Sequence, residues 1–213
     1  MSVAIALVAI AAAVSCGANW FSRVRPHRRV ETVSKPAATV AIAALAMLVG
    51  RDQPKGILIS ALIGFALCLV GDVALLDAVD SFIVGLGAFL VAHVAFLVMF
   101  LQLGLDRPLL GLVGLLLVVV MVVAVGRPLI GSVRTRKPAL TGPVVAYLTV
   151  ISTMVIVGWS TGNLAATIGA TAFVASDAVL GWRAFVAEHR WMPVFVMVTY
   201  HGALVGLALS LSG

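Results

Sequence analysis

Eight apolar runs take up nearly the whole chain, at residues 2–22, 36–50, 56–76, 81–103, 108–126, 138–159, 163–185 and 191–212. Such a run in an apolar solvent must satisfy its own backbone amides, and within a single segment only a helix does so. About 20 residues at ~1.5 Å each carry a helix across the ~30 Å hydrocarbon core of a bilayer. Composition points the same way. Of 213 residues, 62% are hydrophobic and 10% charged, whereas a water-soluble surface draws on about a quarter charged residues. The expected fold is therefore all-α: a polytopic membrane bundle of eight transmembrane helices in one domain, 1–213. The run at 36–50 is short and predicts a helix that is tilted, extended into its flanks or packed centrally.

The joints carry helix breakers: Arg25-Pro26, Asp52-Gln53-Pro54, Asp106-Arg107-Pro108, Arg127-Pro128 and Thr161-Gly162-Asn163. Their basic residues divide unevenly. The joints after the first, third, fifth and seventh runs hold eleven Lys and Arg, and the opposite joints hold only Arg51, Lys55 and Arg107. Positive charge marks the cytoplasmic side, so both termini are expected outside, with a bacterial inner membrane as the expected location. The same clustering accounts for the net charge of +6 without nucleic acid as a partner. The first run has no basic stretch before it, and its positive cluster follows it. It reads as a retained helix rather than a signal peptide, despite a faint likeness of Ala13-Val14-Ser15-Cys16 to a lipoprotein cleavage site. Cys16 and Cys68 sit in apolar runs and read as small buried hydrophobes.

An internal repeat is visible. Lys35-Pro36 opens the second run and Lys137-Pro138 the sixth. Gly71-Asp72-Val73-Ala74-Leu75 then rhymes with Ser176-Asp177-Ala178-Val179-Leu180, and His93 and His201 follow at similar intervals. Two parallel four-helix halves, 1–105 and 106–213, would produce this pattern, as would chance similarity between apolar helices.

The polar residues inside the runs carry the functional information. A carboxylate at the centre of a membrane helix costs at least ~2.5–3.5 kcal/mol. Asp72, Asp177, His93, Tyr147, Tyr200, His201 and Lys35, the last placed at the start of the second helix, are all expected in one layer of the inner half of the bilayer. Two carboxyl groups in one apolar pocket can divide the work, the neutral one giving a proton and the ionised one taking it. The plainer reading pairs each aspartate with Lys35, Arg183 or a tyrosine hydroxyl to hold the bundle together. Phe82, Phe89, His93, Phe96 and Phe100 share a helical face that either packs in the core or lines a slot for an acyl chain. Ala165, Gly169, Ala172 and Ser176 predict close helix approach beside Asp177. No nucleophile elbow, phosphate-binding loop or paired-cysteine motif occurs, and no cofactor or metal is expected.

These motifs resemble the YhhN family of bacterial and animal membrane proteins. The likeness rests on Lys35-Pro36, Gly71-Asp72-Val73 with Leu75, and Phe82, Gly85-Leu86, Phe89-Leu90 and Ala92-His93. It continues through Pro143, Tyr147, Phe173, Ser176-Asp177 with Leu180, and Thr199-Tyr200. Phe96 and Leu204 stand where the family often has tyrosine and glutamine. Characterised members are lysoplasmalogenases, so the resemblance implies hydrolysis of a lysophospholipid vinyl ether by Asp72 and Asp177. His93 and Tyr200 would orient water or an aspartate, with Lys35 and Arg183 on the phosphate, and Tyr147 and Ser176 at the substrate. Membrane lipids are the other expected partners. Two readings of other classes stand beside it: a proton-coupled transporter or lipid-binding protein, and a zinc-dependent hydrolase using His93, His201, Asp72 and Asp177.

Overall fold

The computed structural model describes residues 2–212, and every apolar run in it is helical. We number the spans α1 (Val3–Val24), α2 (Arg28–Val49), α3 (Lys55–Ala74), α4 (Phe82–Leu103), α5 (Leu110–Arg136), α6 (Pro138–Ser160), α7 (Leu164–Phe185) and α8 (Met192–Leu209). All eight are long and apolar enough to cross a membrane, and no strand occurs among the described residues. The chain is an all-α integral membrane protein.

Local chemistry sets the ends. At the joint before α7, Gly162 takes a left-handed φ of 72°, and the Asn163 side chain accepts from the amides of Ala165 and Ala166. Together they turn the chain and cap the helix. Ser2 caps α1 through the Ile5 amide.

Two boundaries depart from the hydropathy reading. First, α2 begins at Arg28 rather than at 36, so Lys35 lies two turns inside the helix and not at its start. The charged first turns are indistinguishable from a loop by polarity, yet they are tied down. Glu31 pairs with Arg23 of α1 at 2.5 Å, and Arg28 donates to the Asp77 carbonyl at 2.7 Å. Second, Arg127-Pro128 does not end the fifth helix. A π turn at Val122–Gly126 intervenes, with the Arg127 amide donating to the Val122 carbonyl, and the helix then runs on to Arg136. The wider turn accommodates a residue that has no amide hydrogen to donate.

Six helices form a ring in the order α2, α3, α4, α6, α7, α8, with the last closing on the first. Two lie outside it: α1 packs on α2 and α8, and α5 packs on α6 and, through its later half, on α7. Approach within the ring is close where side chains are small. A Cβ built on Gly206 of α8 would stand 2.7 Å from the Gly169 Cα of α7, which is the contact expected from the small-residue stripe. Phe96 and Phe100 are fully buried, so this part of the aromatic face on α4 is core. Cys16 and Cys68 are free thiols in the same core.

Candidate active site

Each intramembrane aspartate is held by its own set of side chains. Asp72, fully buried on α3, receives three donors on or beside its carboxyl group. Its Oδ2 accepts from the Thr39 hydroxyl of α2 at 2.5 Å and from the Tyr200 hydroxyl of α8 at 2.9 Å. Lys35 Nζ stands 3.6 Å from Oδ1 and donates to the Asp72 carbonyl at 3.3 Å. A cation and two hydroxyls are the company an ionised carboxylate takes. Oδ1 is buried and accepts no hydrogen bond from the protein.

Asp177 on α7 has a different setting. Its Oδ2 accepts from the Tyr147 hydroxyl of α6 at 2.5 Å and lies 3.4 Å from His93 Nε2 of α4. The other imidazole nitrogen, Nδ1, is 2.5 Å from the Phe89 carbonyl and must carry a hydrogen to approach it so closely. In the neutral ring Nε2 is then a bare acceptor facing the Asp177 carboxyl group. A proton on the Asp177 carboxyl group would therefore have beside it a base able to receive it.

Aromatic rings join the two assemblies. His93 packs on Phe173 and Tyr147 with centroids 4.4 and 5.3 Å apart, and Tyr200 meets Phe173 and Phe89 at 5.6 and 5.7 Å. Both acids also line one cavity, together with Lys35, Tyr200, Ser176 and Arg183. Toward the basic face this cavity continues into a second depression, ringed by Arg23, His27, Arg28, Glu31 and Asp77.

On its other side lies an apolar cavity between α4, α5, α6 and α7, where Asp177 and Tyr147 are the only polar side chains among aliphatic and phenylalanine walls. Leu75, Phe89, Asp177 and Leu180 belong to both cavities. Of these, only Asp177 carries a polar group, so a carboxyl group stands where an oily compartment meets a charged one.

The remaining residues singled out in the sequence have definite places. Ser176 Oγ donates to the Val196 carbonyl and ties α7 to α8. Arg183 lies at the mouth of the polar cavity and pairs with Glu188 at 2.6 Å. His201 turns away from both acids, accepting on Nδ1 from Trp20 Nε1 at 3.0 Å. The four side chains considered for zinc therefore do not converge, and among the described residues no three His, Cys, Asp or Glu side chains gather as metal ligands. Thr39 escaped sequence reading. A threonine inside a membrane helix usually satisfies itself on its own backbone, so nothing in the sequence marks one that donates to a carboxylate.

Among known proteins, the sequence model of the YhhN family fits residues 30–211. No curated protein and no solved structure matches the chain.

Proposed function

The chain belongs to the YhhN family, and from that premise we propose that it hydrolyses the vinyl ether bond of lysoplasmalogens, releasing a fatty aldehyde and a glycerophospho-ethanolamine or -choline. The observation that carries this reading is the position of Asp177, the one polar side chain common to the apolar and the charged cavity. The bond to be cleaved lies at the corresponding boundary of the lipid, between its hydrocarbon chain and its polar head.

The chemistry assigns different roles to the two acids. Asp177, sharing its proton with His93, protonates the vinyl carbon remote from oxygen, and the remaining carbon and oxygen become an oxocarbenium ion. Water adds to the cationic carbon and yields its proton to Asp72, whose Oδ1 accepts no hydrogen bond from the protein. In the collapse of the hemiacetal Asp72 returns its proton to the leaving oxygen and Asp177 takes the hydroxyl proton, which gives an aldehyde and an alcohol and restores both acids. Two carboxyl groups of unequal protonation serve glycoside hydrolysis through a similar cation. Lys35 and Arg183, on the polar side, hold the phosphate. Tyr147 and Tyr200 fix the two carboxyl groups.

The distribution of basic residues supports a membrane orientation with both termini outside and the charged depression open to the cytoplasm, in a bacterial inner membrane. The rhyme between Gly71-Asp72 and Ser176-Asp177 supports parallel repeat halves, 1–105 and 106–213.

Purified protein given lysoplasmalogen in mixed micelles tests the reaction. Aldehyde release that is lost in both Asp72→Asn and Asp177→Asn is the expected result. Full activity in both variants removes the mechanism, and substrate uptake into proteoliposomes with no product removes the enzyme.

A further inference from the structure

We infer that the hydrocarbon chain of a single-chain amphiphile with a phosphate-bearing head reaches the site sideways from the bilayer, through the cleft between α4 and α5, and lies in that cleft while its head occupies the polar cavity. This rests on the reading of the two cavities given above and adds a route and a resting place for the chain.

The first observation is a missing contact. The two helices outside the ring sit differently. On one side α1 packs on both α2 and α8, and the Trp20–His201 hydrogen bond closes the angle between α1 and α8. On the other side α5 packs on α6 and α7 but not closely on α4. The open angle leads into the apolar cavity, whose walls there are Phe82, Leu86 and Phe89 of α4 and Met121, Val125 and Leu129 of α5. The π turn at Val122–Gly126 lies on this stretch of α5, and such turns commonly accompany functional sites.

The second observation is depth. Along α7 the cavity reaches from Asp177 only to Val174 in the direction of the bilayer centre, a rise of ~4.5 Å. Toward the basic face, Phe82 and Phe185 pack edge to face with centroids 5.5 Å apart at the end of the cavity. A lipid chain occupies roughly half of the ~30 Å hydrocarbon core, about three times the depth available above Asp177. Most of such a chain must lie beyond the cavity, and the angle between α4 and α5 is where the packing leaves room. The occupant is a chain rather than a protein segment because the cavity runs on, past Leu75, Phe89, Asp177 and Leu180, into a compartment where Lys35, Arg23 and Arg183 stand among Glu31, Asp72 and Asp177. Apolar walls leading to a chamber of mixed charge, with Lys35 and Arg183 to meet a phosphate, match a tail joined to a phosphate-bearing head.

The test uses the full chain in lipid nanodiscs with a saturated alkyl-ether lysophosphoethanolamine that carries a diazirine midway along its chain. Irradiation precedes mapping of the adducts by mass spectrometry. Adducts are expected to concentrate on Phe82, Leu86, Met121 and Val125, at least fivefold above those on Val14 of α1 and Ile63 of α3, which are exposed apolar positions remote from the cleft. In the double variant Leu86→Trp, Val125→Trp that excess should disappear while labelling of Val14 and Ile63 persists. Labelling spread evenly over exposed apolar positions, concentrated along α1 and α8, or unchanged in a folded double variant overturns the inference. If the double variant does not fold, the wild-type map alone decides. The probe has no vinyl ether, so the result is independent of catalysis. Adducts in the cleft without aldehyde from lysoplasmalogen leave the route standing and remove the reaction, and aldehyde with even labelling does the reverse.

Discussion

At the residue scale the division of labour between the acids makes separable predictions. In the proposed mechanism Asp177→Asn removes the proton donor, and Asp72→Asn removes the base. General acid–base groups contribute ~10²–10⁴ in rate, so each variant should lose activity in that range in an aldehyde-release assay. Thr39 acts through Asp72, and its variants give a finer test. Thr39→Val deletes the 2.5 Å donor to Oδ2 and should lower kcat about tenfold, an amount equal to ~1.4 kcal/mol, with KM little changed. Thr39→Ser, which keeps the hydroxyl, should restore most of the loss. Equal activity in the two variants excludes that positioning role. The residues themselves are legible to different degrees. Aspartate and histidine in apolar runs announce themselves through what their insertion costs. The difference in setting does not show, because it depends on Lys35 and Thr39 reaching Asp72 while Tyr147 and His93 reach Asp177, from helices far apart in sequence.

At the scale of the element, eight helices are readable from hydropathy because lipid permits so few alternatives. Their ends are less so. The first turns of α2 are polar, and only the Arg23–Glu31 pair and the Arg28 contact with Asp77 reveal that they stay wound. At Arg127-Pro128 the expected break is replaced by a π turn, which no local pattern distinguishes from a joint. The α7–α8 contact gives a stability prediction. Gly206→Leu places a branched side chain where Gly169 backbone stands 2.7 Å from the first added carbon. Overpacking of this kind costs roughly 1–3 kcal/mol or more and should lower Tm in detergent. Gly202→Leu on the same helix, where an added Cβ meets nothing within 4 Å, should leave Tm nearly unchanged. A fall of similar size in both would mean that the close approach is not what glycine serves at 206.

Across the whole molecule, neither half contains a complete acid assembly. Asp72 takes Lys35 and Thr39 from its own half and Tyr200 from the other. Asp177 takes Tyr147 from its own half and His93 from the other. The contacts α2–α8 and α4–α6 join the halves. Co-expressed fragments divided at Asp106 should therefore copurify and regain activity, and neither fragment alone should release aldehyde. Activity in a single fragment would contradict the shared sites. Orientation is tested by cysteine labelling in intact cells. Asp106→Cys should react with a membrane-impermeant maleimide and Thr135→Cys should not, and the reverse pattern inverts the topology.

In the proposed reaction the junction at Asp177 would also govern the fate of the products. A fatty aldehyde formed there faces hydrocarbon, while the freed glycerol phosphodiester faces water. Each fragment dissolves in the phase where the other does not, so recombination would require both to return at once. In the proposed reaction, dilution into separate phases would make turnover effectively one-way and keep the products from returning together.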